Sequence, residues 1–243
     1  MADRSAGEER GPRLGDPGFL YPARKARIDQ VVAHRTRTLA VVMEALCDPQ
    51  NVNAVLRTCE AFGVQDVHVV EGVMKPYDRN KKVSQNADKW LDVVRWKSAA
   101  ECLGALKARG FKVYATHLDG QARALRELSF AGRVALVFGN ESRGVSKEAL
   151  ELADARYAVP MRGFVRSLNV SVAAAVSIAQ AVELREGARG RHGDLGPAEA
   201  EALRERFYLL AVKQRARIAK AEQKRSRSLS ARAARRGRAH PRG

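Results

Sequence analysis

The sequence predicts an α/β fold with a mainly parallel sheet and helices on both faces. Two short, continuously apolar runs, Val134–Phe138 and Tyr157–Met161, are typical of strands buried on both faces. Upstream, a strand pattern (Thr38–Leu46), a helical pattern (Val52–Phe62) and a second strand pattern (Asp66–Val70) follow one another within about thirty residues. That order is typical of a right-handed βαβ unit, which closes over a parallel sheet.

The rest of the chain continues to alternate between strands and helices. A polar stretch rich in Lys and Asn predicts a long loop at Gly72–Asp88, and Gln121–Ser129 is irregular or weakly helical. Further strands are predicted at Trp90–Trp96 and Phe111–Leu118. Further helices are predicted at Ala99–Arg109, with Gly110 as the C-cap signal, at Lys147–Ala153 and at Val170–Glu186.

Composition also separates the ends of the chain from its centre. A basic amphipathic helix is predicted over Tyr21–Arg37, and it is compatible with either a solvated surface helix or an RNA-contacting one. Gly187–Gly196 is typical of a hinge-like linker, and Pro197 starts a charged helix that runs at least to Ala221. The predicted segments are a disordered start (1–18), the basic helix (19–37), a central domain (38–187), a basic helical extension (188–225) and a disordered basic tail (226–243).

The charge balance indicates a polyanionic partner. The 243 residues include 44 Lys and Arg against 27 Asp and Glu, a formal net charge of +17. From Val212 to Gly243 there are twelve basic residues and one acidic residue. Such an excess predicts attraction to nucleic acid, and it carries no information about the fold.

Several protein classes are disfavoured by composition. The three cysteines form no C-x-x-C pair and the five histidines stand alone, so neither a disulfide framework nor a zinc site is implied. The amino terminus has no apolar signal region, and no apolar run approaches the roughly 20 residues that cross a bilayer. These features predict a soluble, cytoplasmic protein in a reducing compartment.

The predicted binding site lies in two loops, Gly139–Gly144 and Arg162–Asn169. Each follows a buried strand, and ligands of open parallel sheets bind at the carboxyl ends of the strands. The chain has no G-x-x-x-x-G-K-[ST] and no G-x-G-x-x-G after a strand, which disfavours a Walker NTPase and a Rossmann dehydrogenase. The first loop is equally compatible with a plain strand-to-helix turn in which Ser146 caps the next helix.

Four other polar positions have alternative interpretations. The helix after Asn169 is almost all Ala, Val and Ser and must pack closely on more than one side, and Ser167 or Asn169 could simply be its N-cap. Asn51 is expected just before the first helix, with Arg57 six residues later between Leu56 and Cys59. That position predicts either a partly buried ion pair or a functional arginine.

Three blocks together resemble the motifs of SpoU/TrmH-type RNA 2'-O-ribose methyltransferases of the SPOUT superfamily. The blocks are NVNAVLRTCEAFGV (Asn51–Val64), VFGNESRGVS (Val137–Ser146) and VPMRGFVRSLNVSVAAA (Val159–Ala175), and the match covers roughly Thr38–Glu183. ATHL (Ala115–Leu118) adds a fourth likeness. The resemblance implies a C-terminal deep trefoil knot, a rare exception among folds, with S-adenosylmethionine bound in it and a homodimer as the assembly.

The resemblance also implies roles for particular residues. Those that match cofactor-binding positions are Thr116, Gly139, Val159, Met161 and Leu168, and those that match catalytic and substrate-positioning residues are Asn51, Arg57, Glu141, Ser167 and Asn169. Methyl transfer from a sulfonium needs no metal, only alignment and removal of a hydroxyl proton. The family proposal makes Arg57 the base. Because a guanidinium normally keeps its proton at neutral pH, a second role stays open, in which the charge steadies a phosphate and the developing alkoxide.

The resemblance implies an RNA substrate, and the D-loop guanosine of tRNA is favoured. Short basic helices flank the central domain, as in the tRNA guanosine enzymes, and no separate small N-terminal RNA-binding domain is present. A ribosomal RNA methyltransferase, including one that confers antibiotic resistance, and a non-catalytic RNA-binding protein are the alternatives. The tail beyond Ser226 is either a solubilising segment or an arm that tracks phosphates.

Overall fold

The computed structural model describes residues 20–71 and 87–213 of the chain. Two compact units are present: one spans Val31–Pro197, and the other combines the described residues 20–30 and 198–213. The larger unit therefore extends beyond the predicted central domain at both ends. The predicted disordered start, the basic tail, most of the Gly72–Asp88 loop and the last helix beyond residue 213 lie outside the described residues.

The larger unit is built on a seven-stranded sheet with the order β3-β2-β1-β6-β4-β7-β5. Every strand pairing in the described residues is parallel, which confirms the predicted sheet. The strands are β1 (Thr36–Glu44), β2 (Val64–Val70), β3 (Asp92–Trp96), β4 (Phe111–Thr116), β5 (Arg123–Ala124), β6 (Arg133–Phe138) and β7 (Ala155–Ala158).

Helices cover both faces of the sheet, as the alternation predicted. The described helices are α1 (Pro22–Ala33), α2 (Pro49–Ala61), α3 (Ala99–Ala108), α4 (Lys147–Leu152), α5 (Val170–Arg189) and α6, described over residues 197–213. Of these, α2 and α5 pack on one face of the sheet, and α3 and α4 pack on the other. Successive residues of β1 point to opposite faces: Leu39, Val41 and Met43 share a core with α2 and α5, whereas Ala40 and Val42 share one with α3 and α4. The sheet is thus buried on both sides, which explains its continuously apolar strands.

Local signals fix the ends of these helices. Asp48 caps α2 by accepting a hydrogen bond from the Gln50 backbone N–H, and Pro49 occupies the first helical position. Ser146 caps α4 as the sequence suggested, and Asn169 caps α5. Gly110, the expected C-cap signal of α3, has φ of 79°, and Gly63, which follows α2, has φ of 74°.

The predicted strand Tyr157–Met161 is wrong at both ends. β7 begins at Ala155 and ends at Ala158, so Val159 and Met161 lie outside the sheet. Its neighbour β4 ends at Thr116, which pairs with Tyr157, and its other neighbour β5 ends at Ala124, which pairs with Ala158. The apolar run Val159–Met161 is therefore not part of the sheet.

The basic helix is shorter than predicted, because α1 ends at Ala33. Arg35 is fully buried and forms an ion pair with Glu60 at 3.0 Å. Arg37 lies in β1, where its guanidinium binds the carboxylates of Asp66 and Asp92. The two arginines therefore contribute to the packing of the larger unit and do not extend a basic helical surface.

The predicted hinge-like linker Gly187–Gly196 is also wrong. Helix α5 continues to Arg189 and ends at Gly190, with φ of 71°. The buried carboxylate of Asp194 then accepts hydrogen bonds from side chains of Thr36, Thr38, Arg185 and Arg189. Burial alone would raise the pKa of Asp194, but these donors hold it below its ordinary value. This Asp194 cluster fixes the segment to β1 and α5.

In the smaller unit, Asp29 of α1 binds α6. Its carboxylate accepts a hydrogen bond from the Tyr208 hydroxyl at 2.7 Å and pairs with Arg204 at 3.0 Å. Arg24 and Arg27 are exposed on α1. Within the described ranges, no helix combines the length and apolar character that a membrane crossing requires.

Candidate functional site

A cleft of about 590 Å³ opens at the carboxyl ends of β4, β6 and β7. Its walls come from the segments that follow these three strands and from the start of α5. The lining residues are 116–118, 138–144, 157–159, 161, 167–170 and 173. The volume falls in the range of about 300–1,000 Å³ that small-molecule sites occupy.

The loop after β6 folds back tightly on itself. The backbones of Asn140 and Gly144 exchange two hydrogen bonds of 3.0 and 2.8 Å. A Cβ atom on Gly139 would lie 2.2 Å from the Gly144 carbonyl carbon and the Val145 nitrogen. Glycine at position 139 is therefore required by the close approach of the backbone, and the residue lines the cleft.

A chain of side-chain hydrogen bonds joins three segments beside the cleft. The Asn169 amide donates to the Asn51 side-chain oxygen at 3.1 Å, and the Asn51 amide donates to Glu141 at 2.9 Å. The Glu141 carboxylate also accepts from the backbone N–H groups of Cys47 at 3.2 Å and Asp48 at 3.5 Å. Burial would raise the pKa of Glu141, but these donors outweigh it and hold the pKa below its ordinary value.

The cleft contains nearly all of the residues that the resemblance implied. The cofactor-binding candidates Thr116, Gly139, Val159, Met161 and Leu168 all line it, together with Glu141, Ser167 and Asn169. The Thr116 hydroxyl donates to the Val137 carbonyl at 3.1 Å, which ties the ends of β4 and β6 together. Asn51 lies in the first turn of α2 and not before the helix, and it reaches the site through Glu141 and Asn169.

Arg57 is the exception. It lies on an exposed part of α2 and is not among the cleft residues of its own chain. Its exposure argues against one of the two alternatives, the partly buried ion-pair residue. Six residues rotate a helix by about 240°, which places Arg57 well away from the Asn51 side. Leu56 and Cys59, its neighbours in sequence, are fully buried.

Sequence reasoning missed other polar residues at the site. Glu44, at the end of β1, is buried and accepts hydrogen bonds from the Ser146 N–H at 2.9 Å and the Ser146 hydroxyl at 2.5 Å. His117 lines the cleft beside Thr116 and lies 3.5 Å from Asp119. Only their position in the sequence could have identified these two residues: Glu44 ends a buried strand and His117 follows one, at the sheet edge where ligands bind.

Neither a metal centre nor a disulfide is found in the part of the chain that the structure describes. No group of three or more His, Cys, Asp or Glu side chains could hold an ion there. Cys47 is exposed, and Cys59 and Cys102 are buried as free thiols.

Comparison with known proteins agrees with this geometry. Residues 38–179 match the model of the SpoU rRNA Methylase family. A relative from Thermus thermophilus, named tRNA (guanosine(18)-2'-O)-methyltransferase, is 42% identical over 165 residues, which are 67% of this chain and 84% of that protein.

Two solved structures share the fold. The crystal structure of the A. aeolicus TrmH/SpoU tRNA modifying enzyme has a TM-score of 0.70 and 31% identity, and the alignment covers 78% of this chain and 97% of that one. The SpoU methyltransferase AviRb from Streptomyces viridochromogenes, in complex with the cofactor AdoMet, has a TM-score of 0.55 and 25% identity, covering 61% and 60%. The chain belongs to the SpoU methylase family.

Proposed function

We propose that this protein is an S-adenosylmethionine-dependent RNA 2'-O-ribose methyltransferase whose target is the D-loop guanosine of tRNA. The observation that carries the proposal is the hydrogen-bonded chain Asn169–Asn51–Glu141 at the edge of a ligand-sized cleft. The name of the T. thermophilus relative supports the tRNA guanosine as substrate. The AdoMet complex of AviRb supports the cofactor.

The residues present fit such a cofactor. Val159, Met161 and Leu168 offer apolar surface for a purine ring, and Gly139 lets the ligand approach the main chain closely. Val159 and Met161 follow β7 outside the sheet, so their backbone groups are not used in a strand ladder. We assign Thr116, Gly139, Val159, Met161 and Leu168 to the cofactor site.

The bound cofactor supplies an electrophilic methyl group on a sulfonium centre. The chain must align a ribose hydroxyl with that centre and handle the proton that the hydroxyl loses. Ser167, Asn169 and Asn51 are the polar side chains placed for alignment, and their amides and hydroxyl can both donate and accept. The Glu141 carboxylate is engaged by Asn51, Cys47 and Asp48, so its role is to hold Asn51.

Arg57 then has to act from a different place. Since it does not line the cleft of its own chain, we propose a homodimer in which Arg57 faces the partner's cleft. Exposed apolar side chains on α5, Val172 and Val176, lie one turn apart and are suited to such an interface. At the partner's cleft, Arg57 either takes the hydroxyl proton or remains charged and steadies the substrate phosphate.

Three further features belong to the same proposal. Family membership supports a deep trefoil knot in the C-terminal part of the domain and a cytoplasmic location. The exposed Arg24 and Arg27 of α1 and the basic C-terminal residues are suited to tRNA phosphates. Deletion of Ser226–Gly243 should weaken RNA binding and flatten its salt dependence, whereas an unchanged slope would contradict the arm.

The test is transfer of labelled methyl from S-adenosylmethionine to unmodified tRNA and, separately, to ribosomal RNA. Ribose-methylation-sensitive cleavage then maps the product. Label at a D-loop guanosine in tRNA alone is the expected result. Label in ribosomal RNA alone would retain the chemistry and overturn the substrate, and bound cofactor with label in neither RNA would contradict both substrates.

A further inference from the structure

The Asn140 side chain makes hydrogen bonds through both ends of its amide. Its Oδ1 accepts from the backbone N–H groups of Ser142 at 2.9 Å and Arg143 at 3.1 Å. Its Nδ2 donates to the Ala45 carbonyl at 2.8 Å and approaches the Cys47 sulfur at 3.1 Å. The oxygen thus shapes the loop that contains Asn140, and the nitrogen binds the turn that follows β1.

That turn is itself held in an unusual conformation. Ala45 has φ of 53°, the one positive value found for a non-glycine residue in the described ranges. Its N–H donates to the Val70 carbonyl at 3.0 Å, which ties the turn to the end of β2. The Ala45 carbonyl is therefore anchored to the sheet and gives Asn140 a fixed point of attachment.

Glu141, the next residue, binds the same turn. Its carboxylate accepts from the Cys47 and Asp48 N–H groups and from the Asn51 side chain. Two adjacent residues of one loop thus hold the same turn: Asn140 through a neutral amide and Glu141 through a carboxylate. If the Asn140 amide were lost, the Glu141 bonds alone would have to hold the loop in register.

We infer that Asn140 is a positioning residue for the reaction: it fixes Glu141 against the turn at Ala45–Asp48 and, through Glu141, sets the orientation of Asn51. The inference rests on the proposed methyltransferase function. It differs from a general structural role because it requires the effect of Asn140 to pass through Glu141.

Asn140→Asp separates the two halves of the amide. The aspartate keeps an acceptor for the Ser142 and Arg143 N–H groups and replaces the donor to the Ala45 carbonyl with an oxygen. We expect kcat to fall roughly 10- to 100-fold in this variant, as misplaced catalytic groups commonly cause, with cofactor affinity within about threefold of wild type. Gln121→Ala, which alters an amide side chain at an exposed position, is the control and should retain wild-type kcat.

A double-mutant cycle with Glu141→Ala tests the route of the effect. Asn140→Ala should lower kcat in the wild-type background and by less than about twofold in the Glu141→Ala background. Wild-type kcat in Asn140→Asp, or additive losses in the cycle, would overturn the inference. Loss of cofactor affinity in parallel with kcat would also overturn it, by making Asn140 a general structural residue.

Amide hydrogen exchange gives a readout that does not depend on activity. The Cys47 and Asp48 amides should exchange faster in Asn140→Asp than in wild type, while the β6 amides remain equally protected. Unchanged exchange at Cys47 and Asp48 would contradict the inference. If wild-type protein methylates no RNA, the proposed function fails, and exchange at these two amides still decides whether Asn140 positions Glu141.

Discussion

The side-chain amide of Asn51 donates a hydrogen bond of 2.9 Å to the carboxylate of Glu141, which lies 90 residues away in the chain. The same asparagine accepts a bond from Asn169 at 3.1 Å. Three segments at the carboxyl edge of the sheet are thereby held in one arrangement by two amides and a carboxylate. The geometry of the site therefore requires each of these three side chains to offer a hydrogen-bond donor or acceptor that matches its partner.

Asn51→Asp tests that dependence. The new carboxylate would face Glu141 and lose the donor, so the two negative charges should repel and displace both side chains. We expect kcat for RNA methylation to fall roughly 100-fold while S-adenosylmethionine binding, measured by calorimetry, changes little. Gln50→Glu adds the same charge at an exposed position one residue away and should have a much smaller effect. Equal losses in both variants would indicate a general effect of charge.

Gly139→Ala tests the folded-back loop. The added methyl group would lie 2.2 Å from main-chain atoms of Gly144 and Val145, which cannot move aside as a side chain can. We expect cofactor binding to be lost or reduced at least tenfold, together with a lower melting temperature. Gly120→Ala places its methyl group in open space and is the matched control. Wild-type binding by Gly139→Ala would show that the loop tolerates a wider turn.

Mixing two impaired variants tests whether Arg57 serves the partner's cleft. Arg57→Ala and Glu141→Ala homodimers should each methylate RNA at only a small, still measurable fraction of the wild-type rate. In a mixed dimer, the cleft with an intact Glu141 would face the intact Arg57 of the other subunit only if the arginine acts across the interface. Random re-association should then restore roughly one quarter of wild-type activity. Absence of recovery in confirmed mixed dimers would place Arg57 at its own subunit's cleft.

The stability of the larger unit should fall on mild acidification. His68 is buried, and its Nδ1 accepts a hydrogen bond from the Trp96 indole at 3.0 Å. Burial, with a smaller contribution from the Arg109 charge, lowers the pKa of His68 from 6.5 to about 4. Because the unfolded chain takes up this proton first, stability is complete above pH 6.5 and is lost progressively from there to about pH 4.

Urea denaturation measures this loss. Between pH 7 and pH 5 we expect the free energy of unfolding to decrease by about 2 kcal/mol from His68. His192, whose pKa is also lowered by burial, adds to the decrease. His68→Gln should show a smaller decrease over the same interval, although it is less stable at pH 7. A variant with the full wild-type decrease would assign the pH dependence to other groups.

Much of the fold could be predicted because its signals are local. Apolar runs mark β1 and β6, and Gly63 and Gly110 mark the ends of α2 and α3. The failures come from interactions that are distant in sequence. Arg37 looks like part of a basic helix until Asp66 and Asp92 are brought beside it by strand pairing. Helical periodicity contains no information about such partners.

The site shows the same division. The motif resemblance identifies residues that line the cleft. The apolar run Val159–Met161, however, resembles the end of a strand, because lining a cleft and filling a core require similar side chains. Asn140 was missed because an asparagine next to a glycine is typical of any turn. Its hydrogen bond to Ala45 depends on how two separate segments meet.

The Asp194 cluster determines how far the domain can be shortened. Arg185 is fully buried and lies 3.0 Å from the Asp194 carboxylate, so the two charges neutralise each other inside the protein. A chain cut at Gly187, where composition suggested a boundary, would retain the buried guanidinium and remove its counter-ion, at a cost of roughly 3–5 kcal/mol. To fold on its own, the catalytic region therefore requires residues 188–194, although their composition is typical of a linker. Any fusion or truncated version should preserve the chain through Asp194.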